Sequence, residues 1–139
     1  MVRKEEVKKF LDEIGEKYKD EGNLSFDPGD DAIEFVRSAC KKMAEADKGV
    51  FFCGSGVMVD IVANRFPNIR SCLAVDPDQV KAARQEDDAN VLCLGTDSFG
   101  AEDAKRLVGV FLETIFSGEE KYRLRIKRVS GATDEPKGA

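Results

Sequence analysis

The sequence contains no histidine, which removes the side chain that most often titrates near neutral pH. It also removes the commonest zinc ligand, so a zinc site would have to be assembled from cysteines. The four cysteines are Cys40, Cys53, Cys72 and Cys93, and they lie far apart with no Cys-x-x-Cys pair among them. We therefore expect no metal and no other cofactor.

Long apolar runs are also missing, since none approaches the roughly 20 residues that a membrane span requires. The first residues lead into an amphipathic helix and lack the apolar centre of a secretory signal. The formal net charge of −5 argues against nucleic acid as a partner. These features predict a cytoplasmic protein that binds neither membrane nor nucleic acid.

Apolar periodicity divides the chain into alternating helices and short strands. It predicts helices over 3–19, 31–48, 57–65, 77–86 and 101–116, and strands over 50–53, 69–75 and 90–94, with a weak further strand at 23–26. Gly49 is expected to end the second helix in a left-handed conformation, and Asp76 to cap the helix that begins at Pro77. The alternation predicts a three-layer α/β fold with a mainly parallel sheet.

Cys53 holds the most informative position, because it ends the apolar run 50–52 and opens directly into Gly54-Ser55-Gly56. A cysteine at the carboxyl end of a strand and before a helix lies where α/β proteins bind anions and carry out chemistry. The partial positive charge of the helix end would favour a thiolate there. The alternative is a buried cysteine before a structural glycine turn. The other three cysteines lie in apolar stretches and are expected in the core.

Six short motifs follow one another in order within residues 4–129. They are Cys53-Gly54-Ser55-Gly56, Ala63-Asn64-Arg65, Pro67-Asn68-Ile69-Arg70, Asp76-Pro77, Asp88-Ala89-Asn90-Val91-Leu92 and Phe111-Leu112-Glu113-Thr114. Together they resemble the ribose-5-phosphate isomerase B and galactose-6-phosphate isomerase family. The resemblance implies one flavodoxin-like (Rossmann-like) domain over 1–129 before a flexible tail at 130–139. It also implies a homodimer or tetramer, no metal, and interconversion of aldose and ketose phosphates, such as ribose 5-phosphate and ribulose 5-phosphate, through an enediol.

The same resemblance assigns roles to the residues of the cysteine turn. Cys53 would be the base that removes a carbon-bound proton and returns it to the neighbouring carbon. Ser55 stands where the family usually has threonine. The backbone N–H groups of Gly54, Gly56 and Val57 would surround the developing oxyanion.

Further site residues follow from the resemblance in the second half of the chain. Glu86 and Asp87 occupy the places of a His-Asn pair in which the histidine helps to open the sugar ring. Arg125 and Arg128 resemble C-terminal arginines that bind the substrate phosphate, commonly across the dimer interface, and arginine suits that role because its fork bonds two phosphate oxygens. The alternative for these arginines is a solvated basic helix end.

The chain also departs from the family pattern. Met58 replaces a glycine of the turn, and the family's first strand is missing. That strand is central in a flavodoxin-like order of 2-1-3-4-5, so strand 50–53 should lack a neighbour unless residues 23–26 or a second subunit cover it. These departures leave open a catalytically degenerate member that binds a sugar phosphate or acts as a structural subunit. A flavodoxin-like signalling module is a third reading, which lacks the expected acidic cluster at a strand end.

Overall fold

The computed structural model describes residues 4–21 and 32–130. From residue 32 to residue 113 the described elements alternate between helix and strand, as the sequence predicts. They are α1 (Lys4–Glu13), α2 (Ala32–Lys42), β1 (Gly49–Cys53), α3 (Val57–Ala63), β2 (Ser71–Leu73), α4 (Pro77–Asp87), β3 (Val91–Gly95), α5 (Ala101–Glu113) and α6 (Glu120–Ser130). The possible strand at 23–26 and the tail after residue 130 lie outside the described residues.

The three described strands form a parallel sheet in the order β1-β3-β2. The parallel sheet is confirmed, but the consecutive strand order of the flavodoxin-like prediction is wrong, because β3 lies between β1 and β2. Composition explains the difference. β3 is an unbroken apolar run whose five residues are all buried, whereas β2 has three residues and begins with Ser71. The strand that can be buried on all sides therefore takes the central position.

Helices cover both faces of the sheet and complete the predicted three layers. On one face, Leu92 and Leu94 of β3 pack in a cluster with residues of α1, α4 and α5, among them the buried Phe111. On the other face, Val91 and Cys93 pack with residues of α2 and α3. The alternation along β3 follows from the two-residue period of a strand. None of the helices in the described ranges is long and apolar enough to cross a bilayer.

Four helices, α1, α2, α3 and α5, end earlier than their periodicity predicts, and for α3 and α5 the difference is only two or three residues. Helix α1 ends at Glu13, and Gly15 follows with a φ of 77°, a left-handed stop that glycine adopts without steric cost. Helix α2 ends at Lys42, so the prediction of Gly49 as its left-handed stop is wrong, and Gly49 is instead the first residue of β1. The predicted cap of α4 is confirmed, because the Asp76 side chain accepts a hydrogen bond from the Gln79 N–H at 2.8 Å.

The outer edge of β2 is closed by side-chain amides. The Asn64 side chain accepts a bond from the Ser71 N–H at 2.8 Å and donates to the Ser71 carbonyl at 3.1 Å. The Gln79 amide donates to the Leu73 carbonyl at 2.9 Å. Backbone groups that would otherwise template a further strand are thus occupied.

Among the described residues, no side chain closes the outer edge of β1 in this way. The Gly49 N–H donates to the Asn90 carbonyl, and the Cys53 carbonyl accepts from the Thr96 N–H, so these residues direct their backbone groups toward β3. Val50 and Phe52, one residue out of phase, direct theirs to the opposite side. Within residues 4–21 and 32–130, no strand lies on that side, and residues 23–26, the predicted possible cover, lie outside those ranges.

Candidate active site

The turn 53–57 holds its own side chains in place through two of its amides. The Gly56 N–H donates to Cys53 Sγ at 3.1 Å, and the Val57 N–H donates to Ser55 Oγ at 3.2 Å. These two amides are therefore already engaged. The amides of Gly54 and Ser55 have no acceptor in the described part of the chain, so they are the donors left for a bound oxyanion.

Glycines let this turn pack directly against the end of β3. Gly56 has a φ of 80°, and a Cβ built on it would lie 2.7 Å from Leu73 Cδ1 and 2.8 Å from the Gly95 nitrogen. A Cβ on Gly95 would lie 2.6 Å from the Ser55 carbonyl oxygen. No side chain fits between these backbones, so the position of Cys53 relative to β3 is set by backbone contact.

The loop after β3 forms a second wall beside Cys53. The Thr96 N–H donates to the Cys53 carbonyl at 2.9 Å, and the Asp97 N–H donates to the Gly54 carbonyl at 3.0 Å. The Asp97 carboxylate lies over Gly54, since its Oδ2 is 2.9 Å from the place that a Cβ of Gly54 would occupy. An exposed carboxylate therefore lies against the turn that carries the thiol.

The other thiols are poorly suited to chemistry. Burial raises the pKa of Cys40 and of Cys72 to about 11 and that of Cys93 to about 12. Cys40 and Cys93 are fully buried, as predicted, whereas Cys72, also expected in the core, is only half-buried on the edge strand β2. The Cys93 thiol lies 3.1 Å from Ser71 Oγ, which in turn donates to Asp60 Oδ1 at 2.7 Å. Cys53 is half-buried at the end of its strand, so it is the thiol best placed to meet a ligand.

Glu86, Asp87, Tyr122 and Arg125 form a second group where α4 ends and α6 packs on it. The Tyr122 hydroxyl donates to Glu86 Oε1 at 3.4 Å, and the Arg125 guanidinium lies 5.7 Å from the Tyr122 ring centre. Partial burial raises the pKa of Asp87, the neighbouring Glu86 charge raises it further, and Arg125 opposes both. Arg128 is exposed on the same helix.

The two groups lie at opposite ends of the sheet. Helix α4 begins after the carboxyl end of β2 and returns to the amino end of β3, where Glu86 and Asp87 lie. Cys53 is paired with Gly95 at the carboxyl end of β3. The four residue steps from Val91 to Gly95 separate the two ends by about 13 Å. One copy of the chain therefore does not bring the predicted acids and arginines to the predicted base.

Three residues of these groups are not among those predicted from the sequence. Thr96 and Asp97 directly follow the third strand, so the rule that placed Cys53 at a carboxyl strand end could have found them. Tyr122 lies in the basic segment, and only the packing of α6 on α4 places it beside Glu86. No group of three or more acidic or thiol side chains within the described ranges is arranged to hold a metal ion.

The fold and the site define the class of this protein: a three-layer α/β protein with a thiol in a glycine turn at the carboxyl edge of a parallel sheet. Residues 1–129 match the family model described as Ribose/Galactose Isomerase. The chain belongs to this family of isomerases, which confirms the resemblance carried by its six motifs.

Curated relatives and solved structures agree with this assignment. The chain is 31% identical over 127 residues to the putative sugar phosphate isomerase YwlF of Bacillus subtilis, covering 90% of this chain and 85% of the relative. It is 30% identical to ribose-5-phosphate isomerase B of Escherichia coli, covering 93% and 87%. The structure of ribose-5-phosphate isomerase B from Mycoplasma genitalium with bound ribulose-5-phosphate has a TM-score of 0.86 and 29% identity, covering 96% of this chain and 89% of that one.

Proposed function

We propose that this protein interconverts aldose and ketose phosphates, with ribose 5-phosphate and ribulose 5-phosphate as the substrate pair and Cys53 as the base. The observation that carries the proposal is the position of the Cys53 thiol, half-buried at a carboxyl strand end beside two unengaged amides. A base beside amide donors is the arrangement that formation and collapse of an enediolate require. The related E. coli and M. genitalium proteins, named as ribose-5-phosphate isomerases B, support this substrate pair.

The complete site is proposed to combine two copies of the chain. Arg125 and Arg128 are suited to bind the phosphate, yet they lie at the end of the sheet opposite Cys53. A second copy resolves this separation if its α6 reaches the Cys53 turn. Both surfaces carry exposed apolar side chains of the kind that subunit contacts bury: Val57, Met58 and Ile61 on α3, and Leu124 and Val129 on α6.

The role of Cys53 is tested by measuring the conversion of ribose 5-phosphate to ribulose 5-phosphate. The Cys53→Ala variant is expected to lose at least about 100-fold in kcat, the typical contribution of a positioned base. Cys72→Ala is the matched control, because it removes a half-buried thiol away from the turn and should keep wild-type turnover. Unchanged turnover in Cys53→Ala would reject Cys53 as the base.

The shared site is tested by mixing two inactive variants. Cys53→Ala and Arg125→Ala each damage every site of a homodimer, but a mixed dimer has one intact site if Cys53 and Arg125 come from different copies. Equal amounts should therefore recover about a quarter of wild-type activity after subunit exchange. Absence of any recovery after exchange, verified with tagged subunits, would contradict the two-copy site.

A catalytically degenerate binding or structural subunit is the second candidate. It is favoured by the acids Glu86 and Asp87, which lie beside Arg125 and oppose its use as a phosphate ligand. The galactose-6-phosphate isomerase subunit LacB of Clostridium acetobutylicum is a relative at 30% identity, so the family includes proteins named as subunits. Stabilisation of the purified chain by a sugar phosphate without turnover would favour this candidate, and turnover would exclude it.

A further inference from the structure

The Asp97 side chain, which has no hydrogen-bond or ion-pair partner among the described residues, lies against the turn that carries the candidate base. Its backbone is fixed to the turn by the bond from its N–H to the Gly54 carbonyl at 3.0 Å. Its Oδ2 lies against Gly54, the residue next to Cys53, where a Cβ would be only 2.9 Å away. Across the described residues, no donor and no cation contacts this carboxylate, although ion pairs occupy other acids such as Asp88. The Asp97 carboxylate thus lies beside the Cys53 turn and is available to a ligand.

Aldose–ketose isomerisation needs a second proton transfer besides the one at carbon. When the carbonyl moves from C1 to C2, the proton on the C2 oxygen must leave and the C1 oxygen must gain one. The chain has no histidine to do this, and within one copy Glu86 and Asp87 lie about 13 Å away along the sheet, so only a second copy could bring them to the turn. Asp97 is the acidic side chain that the structure places against the Cys53 turn.

We propose that Asp97 is a further catalytic residue, which carries the hydroxyl proton between the two oxygens; this inference rests on the proposed function. Cys53 removes the C2 proton, the C1–C2 double bond forms, and the C1 carbonyl becomes an oxyanion. The Asp97 carboxylate accepts the proton of the C2 hydroxyl and delivers it to the C1 oxygen. C1 then takes the proton back from the Cys53 thiol as the C2 carbonyl forms, so both side chains return to their starting states.

The inference is tested with Asp97→Asn, which keeps the shape and the backbone bond but does not accept the proton. We expect kcat on ribose 5-phosphate to fall at least about 100-fold, with KM within about three-fold of wild type. Asp97→Glu keeps the carboxylate and should retain part of the activity lost in Asp97→Asn. Asp103→Asn is the matched control, because Asp103 is an exposed acid in the first turn of α5, and it should leave both constants unchanged. Wild-type kcat in Asp97→Asn, or an equal loss in Asp103→Asn, would overturn the proposal.

A binding measurement keeps the test independent of turnover. Calorimetry measures the affinity for ribose 5-phosphate of the Cys53→Ala variant and of the double variant Cys53→Ala, Asp97→Ala. Loss of the hydroxyl contact should weaken binding by about three-fold or more. If the wild-type chain turns over no sugar phosphate, the proposed function fails, and equal binding by the two variants then overturns the Asp97 contact as well. If the wild type turns over ribose 5-phosphate and the Asp97 variants match it in kcat and in binding, the inference about Asp97 is refuted and the proposed function stands.

Discussion

Replacement of Gly56 by alanine should destabilise the fold for two separable reasons. The residue has a φ of 80°, a left-handed conformation that costs a non-glycine residue roughly 1–2 kcal/mol. The added Cβ would also lie 2.7 Å from Leu73 Cδ1, 2.8 Å from the Gly95 nitrogen and 3.1 Å from the Leu94 carbonyl carbon. Two of these atoms belong to backbone, so the turn must move, at a typical overpacking cost of about 1–3 kcal/mol. We expect a total loss of about 2–5 kcal/mol.

Two other glycines supply controls that separate the two costs. Gly15 has a φ of 77° with no atom within 4 Å of its built Cβ, so Gly15→Ala should show the conformational cost alone, about 1–2 kcal/mol. Gly95 has no positive φ, but its Cβ would lie 2.6 Å from the Ser55 carbonyl oxygen. Gly95→Ala should therefore show the steric cost alone, about 1–3 kcal/mol.

The assay is equilibrium unfolding in urea at 25 °C, with free energies compared between wild type and the three variants. Gly56→Ala should lose more free energy of unfolding than either Gly15→Ala or Gly95→Ala. A loss in Gly56→Ala no larger than that in Gly15→Ala would refute the steric part of the reasoning. It would mean that the turn moves away from β3 at no cost, and that backbone contact does not position Cys53.

Two further substitutions test the closed outer edge of β2 and the neighbouring acids Glu86 and Asp87. Asn64→Leu removes both bonds to Ser71, so it should cost about 1–2 kcal/mol in urea unfolding and increase light scattering at high protein concentration, whereas unchanged values in both would contradict the closure of that edge. Asp87→Asn should raise stability above pH 7 and give a shrinking benefit toward pH 4. The pKa of Asp87 is raised in the folded state, so the charged form of this acid destabilises the fold at high pH and the protonated form does not do so at low pH. Asparagine resembles the protonated form at every pH, and a gain in the free energy of unfolding that grows toward pH 4 would contradict this reasoning.

Local patterns in the sequence were sufficient for most elements of the fold. The apolar run ending at Cys53, the Asp76-Pro77 cap and the apolar face of α5 each predict their element from nearby residues. The strand order was not predictable in this way, because it depends on which strand is most fully buried, and that is a property of the whole packing. The length of α1 was also overestimated, since Gly15 interrupts an apolar period that continues to Tyr18.

The candidate site was predictable only in part, for a related reason. The position of Cys53 follows from its own strand and turn, which are local. The separation of Glu86 and Asp87 from that turn follows from the direction in which α4 runs, which is a property of the fold and not of the two residues themselves. The strand-end rule that placed Cys53 could also have pointed to Asp97, but the contact of Asp97 with Gly54, 43 positions earlier in the chain, is a property of the packing.

The unequal edges of the sheet connect folding to chemistry. Since Asn64 and Gln79 occupy the outer backbone groups of β2, a further strand can join only beside β1. A parallel strand in that place would end beside Cys53, because parallel strands share one carboxyl edge. Addition of that strand would satisfy the outward backbone groups of Val50 and Phe52, which have no partner among the described residues, and would also add a wall next to the thiol. Stability of the sheet and enclosure of the site would then both increase when the strand is added. A ligand bound at Cys53 would therefore favour the sheet with the added strand over the sheet without it.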